Sequence, residues 1–250
     1  MTLVVPARAK LNLDLRVLGR RADGFHELHT TFQAIELHDL VDLEPAAGTA
    51  FEAEGFEIDA RDNSLLSAHR AVEEMAGKTL PVRIRLHKRI PPGSGMGGAS
   101  SDAAATLKGL SALFKLEMDT RQLAERLGSD VPFFLHGGRA RAEGRGEKLI
   151  ALDSGPAWFA IAWPGFELST ASVYAAWDGV GGEGPNELER AAAKVEPRLE
   201  QFARDLGPGW QMTGSGSAFF KPMASKEEAE AAVSSLECWT AVTASVPRWA

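Results

Sequence analysis

Apolar and polar residues alternate from the start of the chain. Leu11, Leu13, Leu15 and Val17 fall on one face of an extended segment, and Lys10, Asn12, Asp14 and Arg16 on the other, which predicts a strand. Asp23-Gly24 is a turn signal. From His26 to Leu43 the chain again reads as extended, anchored by Phe32, Ile35, Leu37, Leu40 and Val41. A short strand from Phe51 to Ile58 precedes a helix. Asp62-Asn63-Ser64 marks its start, Leu65, Ala68, Val72 and Met75 form its apolar stripe, and Gly77 stops it. Val82, Ile84 and Leu86 then alternate with Arg83, Arg85 and His87 as another strand.

Helices are predicted from about Ser100 to Phe114 and from about Asp119 to Leu127, the second ending at Gly128. A strand at Trp158 to Trp163 opens the second half. A helix, a Gly-rich loop (Gly179 to Pro185) and a long helix from Asn186 to Leu206 follow, then a strand, a helix from Ser225 to Leu236 and a last strand. A boundary near Asp153 divides the chain into 1–153 and 154–250. Strands mixed with helices without strict alternation predict an α+β fold.

Composition narrows the classes. With 250 residues, 44% hydrophobic and 24% charged, the chain is neither disordered nor fibrous. The 27 basic and 34 acidic residues give a net charge of −7, and no basic cluster stands out, which argues against a nucleic-acid partner. Cys238 is the one cysteine, so no internal disulfide or Cys-rich zinc site can form, and its apolar neighbours suit a core filler. The apolar run at the N-terminus is too short for a signal peptide, and no stretch approaches the roughly 18 apolar residues of a membrane span. A cytoplasmic location without membrane association is expected.

The strongest chemical signal is the run Pro91 to Asp102, PPGSGMGGASSD. Its glycines and serines lead straight into a helix, so backbone N–H groups and the positive end of the helix dipole converge where a phosphate could bind. An ordinary flexible loop with a Ser-Ser-Asp cap is the bland alternative. Gly93, Gly95 and Gly98 formally match the dinucleotide fingerprint, but that motif needs a second strand ending in an acidic residue about 20 residues on, where a helix is predicted here. Gly77-Lys78-Thr79 imitates the end of a P-loop, yet Val72 stands where its first glycine belongs.

The loop resembles the phosphate-binding loop of the GHMP kinases, with Ser94 where many members have glycine. The resemblance continues through Ala9-Lys10-Leu11-Asn12-Leu13, Gly19, Arg21-Ala22-Asp23-Gly24-Phe25-His26, Gly128-Ser129-Asp130-Val131-Pro132-Phe133-Phe134, and Met212-Thr213-Gly214-Ser215-Gly216-Ser217, in order along almost the whole chain. It implies a two-domain fold, with a ribosomal S5 domain 2-like N-terminal half and a ferredoxin-like C-terminal half. It also implies an ATP-dependent kinase with magnesium, ATP lying along the glycine loop in a crevice between the halves. The acceptor it implies is the 2-hydroxyl of a cytidine diphosphate-linked methylerythritol. Another small alcohol, such as homoserine or mevalonate, and a non-catalytic nucleotide sensor are the alternatives.

Residue by residue, the resemblance implies that Asp130 orients the acceptor hydroxyl and takes its proton, with Lys10 beside it stabilising the carboxylate and the transferring group. Pro91, Pro92, Gly93, Ser94, Gly95, Met96, Gly97, Gly98, Ala99, Ser100 and Ser101 would hold the nucleotide, with Asn63 and Lys88 on its adenine and ribose side. Asn12 would contact the erythritol hydroxyls and His26 the cytosine, which Phe25 and Tyr174 would sandwich. Ser101 offers a hydroxyl to magnesium, and no all-protein metal cage is visible. The expected partners are small molecules, and the expected state is a monomer or weak homodimer. Without the resemblance, Lys10 reads as a solvated strand face, Asp130 as a turn residue, Asn63 as a helix cap, Phe25 as core packing and Lys88 as a strand end.

Overall fold

The computed structural model describes residues 1–61 and 63–248. Asp62 of the predicted helix start lies outside the described residues. In chain order, the first elements are β1 (Leu3–Arg20), β2 (His26–Pro45), β3 (Ala50–Gly55), α1 (Ser64–Ala76), β4 (Val82–Lys88), α2 (Gly98–Leu113), α3 (Thr120–Leu127) and α4 (Val131–His136). Next come β5 (Arg139–Gly144), β6 (Lys148–Leu152), β7 (Trp158–Trp163), α5 (Thr170–Val180), α6 (Glu189–Val195) and α7 (Arg198–Leu206). The chain closes with β8 (Gln211–Met212), β9 (Phe219–Met223), α8 (Lys226–Val233) and β10 (Trp239–Ala244). The expected mixture of sheets and helices, an α+β fold, is what the chain adopts.

Two compact units are present. One comprises Met1–Ala9, His38–Pro92 and Gly97–His136, the other Lys10–Leu37, Gly93–Met96 and Gly137–Ala250. The long strands β1 and β2 each contribute to both, so the units interleave along the chain rather than dividing at the single boundary expected near Asp153.

In the first unit, the second half of β2 pairs antiparallel with β4, Leu40 opposite His87, and β3 pairs parallel with β4. Val82, Ile84 and Leu86 are buried at alternate positions of β4, as its period predicts. Leu65, Ala68 and Val72 form the buried stripe of α1. That helix starts where Asn63 Oδ1 accepts the N–H groups of Leu65 and Leu66, and stops at Gly77 in the left-handed conformation. Gly109 is the close contact of α2 with the sheet, since a Cβ there would lie 2.3 Å from Leu43 Cδ1.

In the second unit, the first half of β2 pairs with β5, and β5 with β6, both antiparallel. Strand β5 carries its inward positions on Ala140 and Ala142, small residues that leave a weak hydrophobic signature. From β7 onward the order of the four-stranded sheet is β10-β7-β9-β8, reached through helices between β7 and β8 and between β9 and β10. That is the β-α-β-β-α-β arrangement of a ferredoxin-like half. Leu15, Val173, Leu188, Leu199, Met212 and Phe219 lie in its core.

The long helix expected from Asn186 to Leu206 is instead two. Pro197 has no N–H to donate and pushes the residue before it out of the helical region, so Glu196 is extended at φ −135° and α7 begins afresh at Arg198. Asn186 itself lies outside both helices. The predicted helix Ser225–Leu236 is shorter at Lys226–Val233, with Ser225 as its cap.

Candidate active site

In the second unit, β1 places the side chains of Lys10 and Asn12 inward. A lysine with 3% of its surface exposed is rare unless its ammonium is paired with an acceptor. Lys10 Nζ donates to Asn12 Oδ1 and, at 2.7 Å, to the carbonyl oxygen of Gly95, and lies 5.4 Å from the centre of the Phe32 ring. The Asn12 amide nitrogen in turn donates to Thr30 Oγ1 at 2.7 Å, and its backbone N–H donates to Thr213 Oγ1. Asn12, assigned to the erythritol hydroxyls by resemblance, therefore has its side chain engaged by Lys10 and Thr30.

The glycine loop is pinned by its backbone. Met96 accepts from the Lys10 N–H, Gly93 from the N–H groups of Leu168 and Ser217, and Ser94 from that of Ala218. Gly95 has φ +78°, and a Cβ there would lie 2.1 Å from the Thr213 carbonyl oxygen. Only glycine fits. Gly214 answers it from the other side, where a Cβ would come 2.8 Å from the Gly95 carbonyl oxygen and 3.1 Å from Lys10 Nζ. Asn186, which sequence reasoning missed, holds that second loop by donating to the carbonyls of Met212 and Gly214. The run Met212–Ser217, singled out as a Gly/Ser loop entering a strand, thus packs on Lys10, Asn12 and Gly95.

The same unit carries an aromatic group. His26 stacks on Tyr174, with ring centres 4.9 Å apart and planes 24° from parallel, and meets Trp177 edge-on at 5.6 Å. Its Nε2 lies 2.7 Å from Asp178 Oδ1. Tyr174, Trp177 and Asp178 share one face of α5 by helical spacing, a pattern from which Trp177 and Asp178 were readable. Phe25 behaves differently. It is 53% exposed on the turn, with the Arg145 guanidinium over its ring at 4.8 Å.

In the first unit, the loop runs into α2 through Gly97, at φ +73°. Among the described residues no side chain caps the first turn of α2. An uncapped helix start preceded by glycines of positive φ suits a phosphate group, which fits the expected nucleotide. Ser101 is buried within that first turn. Asp130 follows the Gly128 end of α3, is half-buried, and its carbonyl accepts the Phe133 N–H at the start of α4. Asn63 serves as the α1 cap described above, and its Nδ2 donates to the Asp59 carbonyl. Lys88 is buried and donates to Asp39 and, at 2.9 Å, to Asp102 Oδ2.

The GHMP kinases N terminal domain model matches residues 63–138. The 4-diphosphocytidyl-2-C-methyl-D-erythritol kinase of Thermus thermophilus is 40% identical, over 93% of this chain and 92% of that protein. The enzyme of the same name from Moorella thermoacetica is 43% identical over 77% of this chain and 70% of its own. A crystal structure of 4-(cytidine 5'-diphospho)-2C-methyl-D-erythritol kinase superposes with a TM-score of 0.82 at 37% identity, covering 97% of this chain and 99% of that one. Among the described residues no helix is long and apolar enough to cross a membrane.

Proposed function

Because this chain belongs to the 4-diphosphocytidyl-2-C-methyl-D-erythritol kinase family of the GHMP kinases, we propose that it transfers the γ-phosphoryl group of ATP to the 2-hydroxyl of 4-diphosphocytidyl-2-C-methyl-D-erythritol. The products are the 2-phosphate and ADP, in the non-mevalonate supply of isoprenoid precursors. The observation that carries the reading is the buried Lys10 ammonium, held on the glycine loop by the Gly95 carbonyl and Asn12.

Phosphoryl transfer asks a protein for position and charge compensation more than for covalent chemistry. Magnesium, supplied with the nucleotide, offsets phosphate charge while keeping several waters. The backbone of Gly93 to Ser101 holds the phosphates. Lys10 compensates charge on the transferring group, its direction set by Asn12. Asp130 orients the acceptor hydroxyl and accepts its proton. On the cytidine side, His26 and Tyr174 receive the base, with Asp178 fixing the imidazole and Phe25 closing over the ring from its turn. An acceptor with no base, such as homoserine or mevalonate, would leave the aromatic group nothing to stack on. A cytoplasmic enzyme acting as a monomer or weak homodimer completes the proposal.

ADP release with ATP and magnesium tests it, with the cytidyl substrate compared against homoserine and mevalonate. Turnover confined to the cytidyl substrate is expected. Turnover with another alcohol would remove the cytidine assignment, and none with any would favour a nucleotide sensor.

A further inference from the structure

The glycine loop is tied at both ends by one buried cluster of charges. Lys88, the last residue of β4, and Arg89-Ile90 lead directly into Pro91. Asp102 lies at the start of α2, just after the loop ends. Lys88 Nζ bonds Asp102 Oδ2 at 2.9 Å and also Asp39 Oδ2 from β2. Asp39 Oδ1 accepts the backbone N–H groups of Arg89 and, at 2.8 Å, Ile90. Gly98 leaves room for the ammonium directly beneath the helix start, where a Cβ would lie 2.8 Å from Lys88 Nζ. Lys88, Asp39 and Asp102 are all at least 95% buried.

Such a cluster is a poor source of net stability. Desolvating three charges costs about as much as their attraction returns, so the ion pairs themselves add little net stability. What a buried, directional network supplies is one geometry. Two carboxylates share one ammonium, and Asp102 Oδ1 has no hydrogen-bond partner among the described residues. Burial pushes the Asp102 carboxyl up to about 7 against the pull of Lys88. Charge on the Asp102 side is therefore the least well compensated part of the cluster.

We propose that Asp39, Lys88 and Asp102 are positioning residues for the nucleotide: the cluster fastens the two ends of the glycine loop to each other and so sets where its N–H donors point. Lys88 acts through the loop, with its ammonium spent on carboxylates, and does not touch the phosphates. This rests on the reading of the loop as the phosphate cradle.

The test compares wild type, Lys88→Met and Lys88→Met/Asp102→Asn. Calorimetric affinity for ADP with magnesium, KM for ATP and for the cytidyl substrate, and melting temperature are measured for each. Lys88→Met is expected to weaken ADP binding and raise KM for ATP at least tenfold, with KM for the cytidyl substrate within twofold of wild type. Adding Asp102→Asn removes a buried carboxyl that has lost its ammonium, so the melting temperature recovers in part while ADP affinity does not, because the tie is still missing. Should Lys88→Met not fold, the double variant carries the comparison. Unchanged ADP affinity in either folded variant, or affinity that recovers in step with melting temperature, overturns the proposal. A wild-type protein that binds no ADP would instead overturn the phosphate-cradle reading itself.

Discussion

The Lys10 ammonium lies 2.7 Å from the carbonyl oxygen of Gly95, so a strand near the start of the chain and the glycine loop share one hydrogen bond across 85 positions of sequence. The bond engages a carbonyl of the loop and none of the loop N–H groups. Asn12 Oδ1 accepts from the same ammonium, so two acceptors fix its direction.

Lys10→Met is expected to lower kcat by about 100-fold or more, the size of effect that follows removal of one preorganised charge-stabilising donor. ADP affinity should change far less, since the loop N–H groups remain. Stopped-flow ADP formation beside calorimetric binding separates the two. Equal losses in both would recast Lys10 as a loop support.

Asp130→Asn keeps the shape of the side chain and removes its ability to take a proton. Turnover should fall by roughly 100- to 10,000-fold, in line with loss of a general base, with ADP binding retained. Full activity in this variant would take Asp130 out of the reaction.

Gly95→Ala places a methyl group 2.1 Å from the Thr213 carbonyl oxygen, a backbone atom, at φ +78°. The loop must shift, at a cost of about 1–3 kcal/mol for a residue held in that region. A lower melting temperature and weakened ADP binding are expected together. Thermal melts with and without ADP read both, and a variant that matches wild type would contradict the close packing of the two loops.

Tyr174→Ala should raise KM for the cytidyl substrate while leaving KM for ATP near wild type. Aromatic stacking on a base is worth about 1–3 kcal/mol, so the rise should be of order tenfold. Asp178→Asn loosens His26, whose Nε2 it holds at 2.7 Å, and should act in the same direction. If KM for ATP moved instead, this aromatic group would belong to the nucleotide.

His87 lies between Asp42, at 3.1 Å, and Glu54, and its hydrogen bonds to these carboxylates raise its pKa above the usual imidazole value. Folding therefore favours the protonated ring. The resulting stability is fully present below about pH 6.5, the unfolded value, and is lost as pH rises through the higher folded one. Melting temperatures of wild type and His87→Gln should differ most in mild acid and converge at alkaline pH. A difference that grew with pH would reverse the assignment.

Much of this was legible in the chain because the signals are local. The period of two in β1 and β4, the Asn63 cap and Gly77 stop of α1, and the glycine run before α2 each depend on neighbours within a few residues. The break at Pro197 was equally local, and the apolar spacing on either side of it masked it. The partners of the candidate site are another matter. Asp39 reaches Lys88 across 49 positions and Asn186 reaches Gly214 across 28, and nothing in a single sequence distinguishes an aspartate or asparagine with a distant partner from one on a solvated surface. Strand β5 was silent for a different reason: Ala140 and Ala142 fill its inward face with residues that suit a helix as well as a strand.

The most direct measurement is phosphorus NMR of the product formed from ATP, magnesium and 4-diphosphocytidyl-2-C-methyl-D-erythritol. A new phosphomonoester on the 2-hydroxyl, with the cytidine diphosphate intact and ADP formed in equal amount, is predicted. ATP left unconsumed, or phosphate on any other oxygen, would contradict the account.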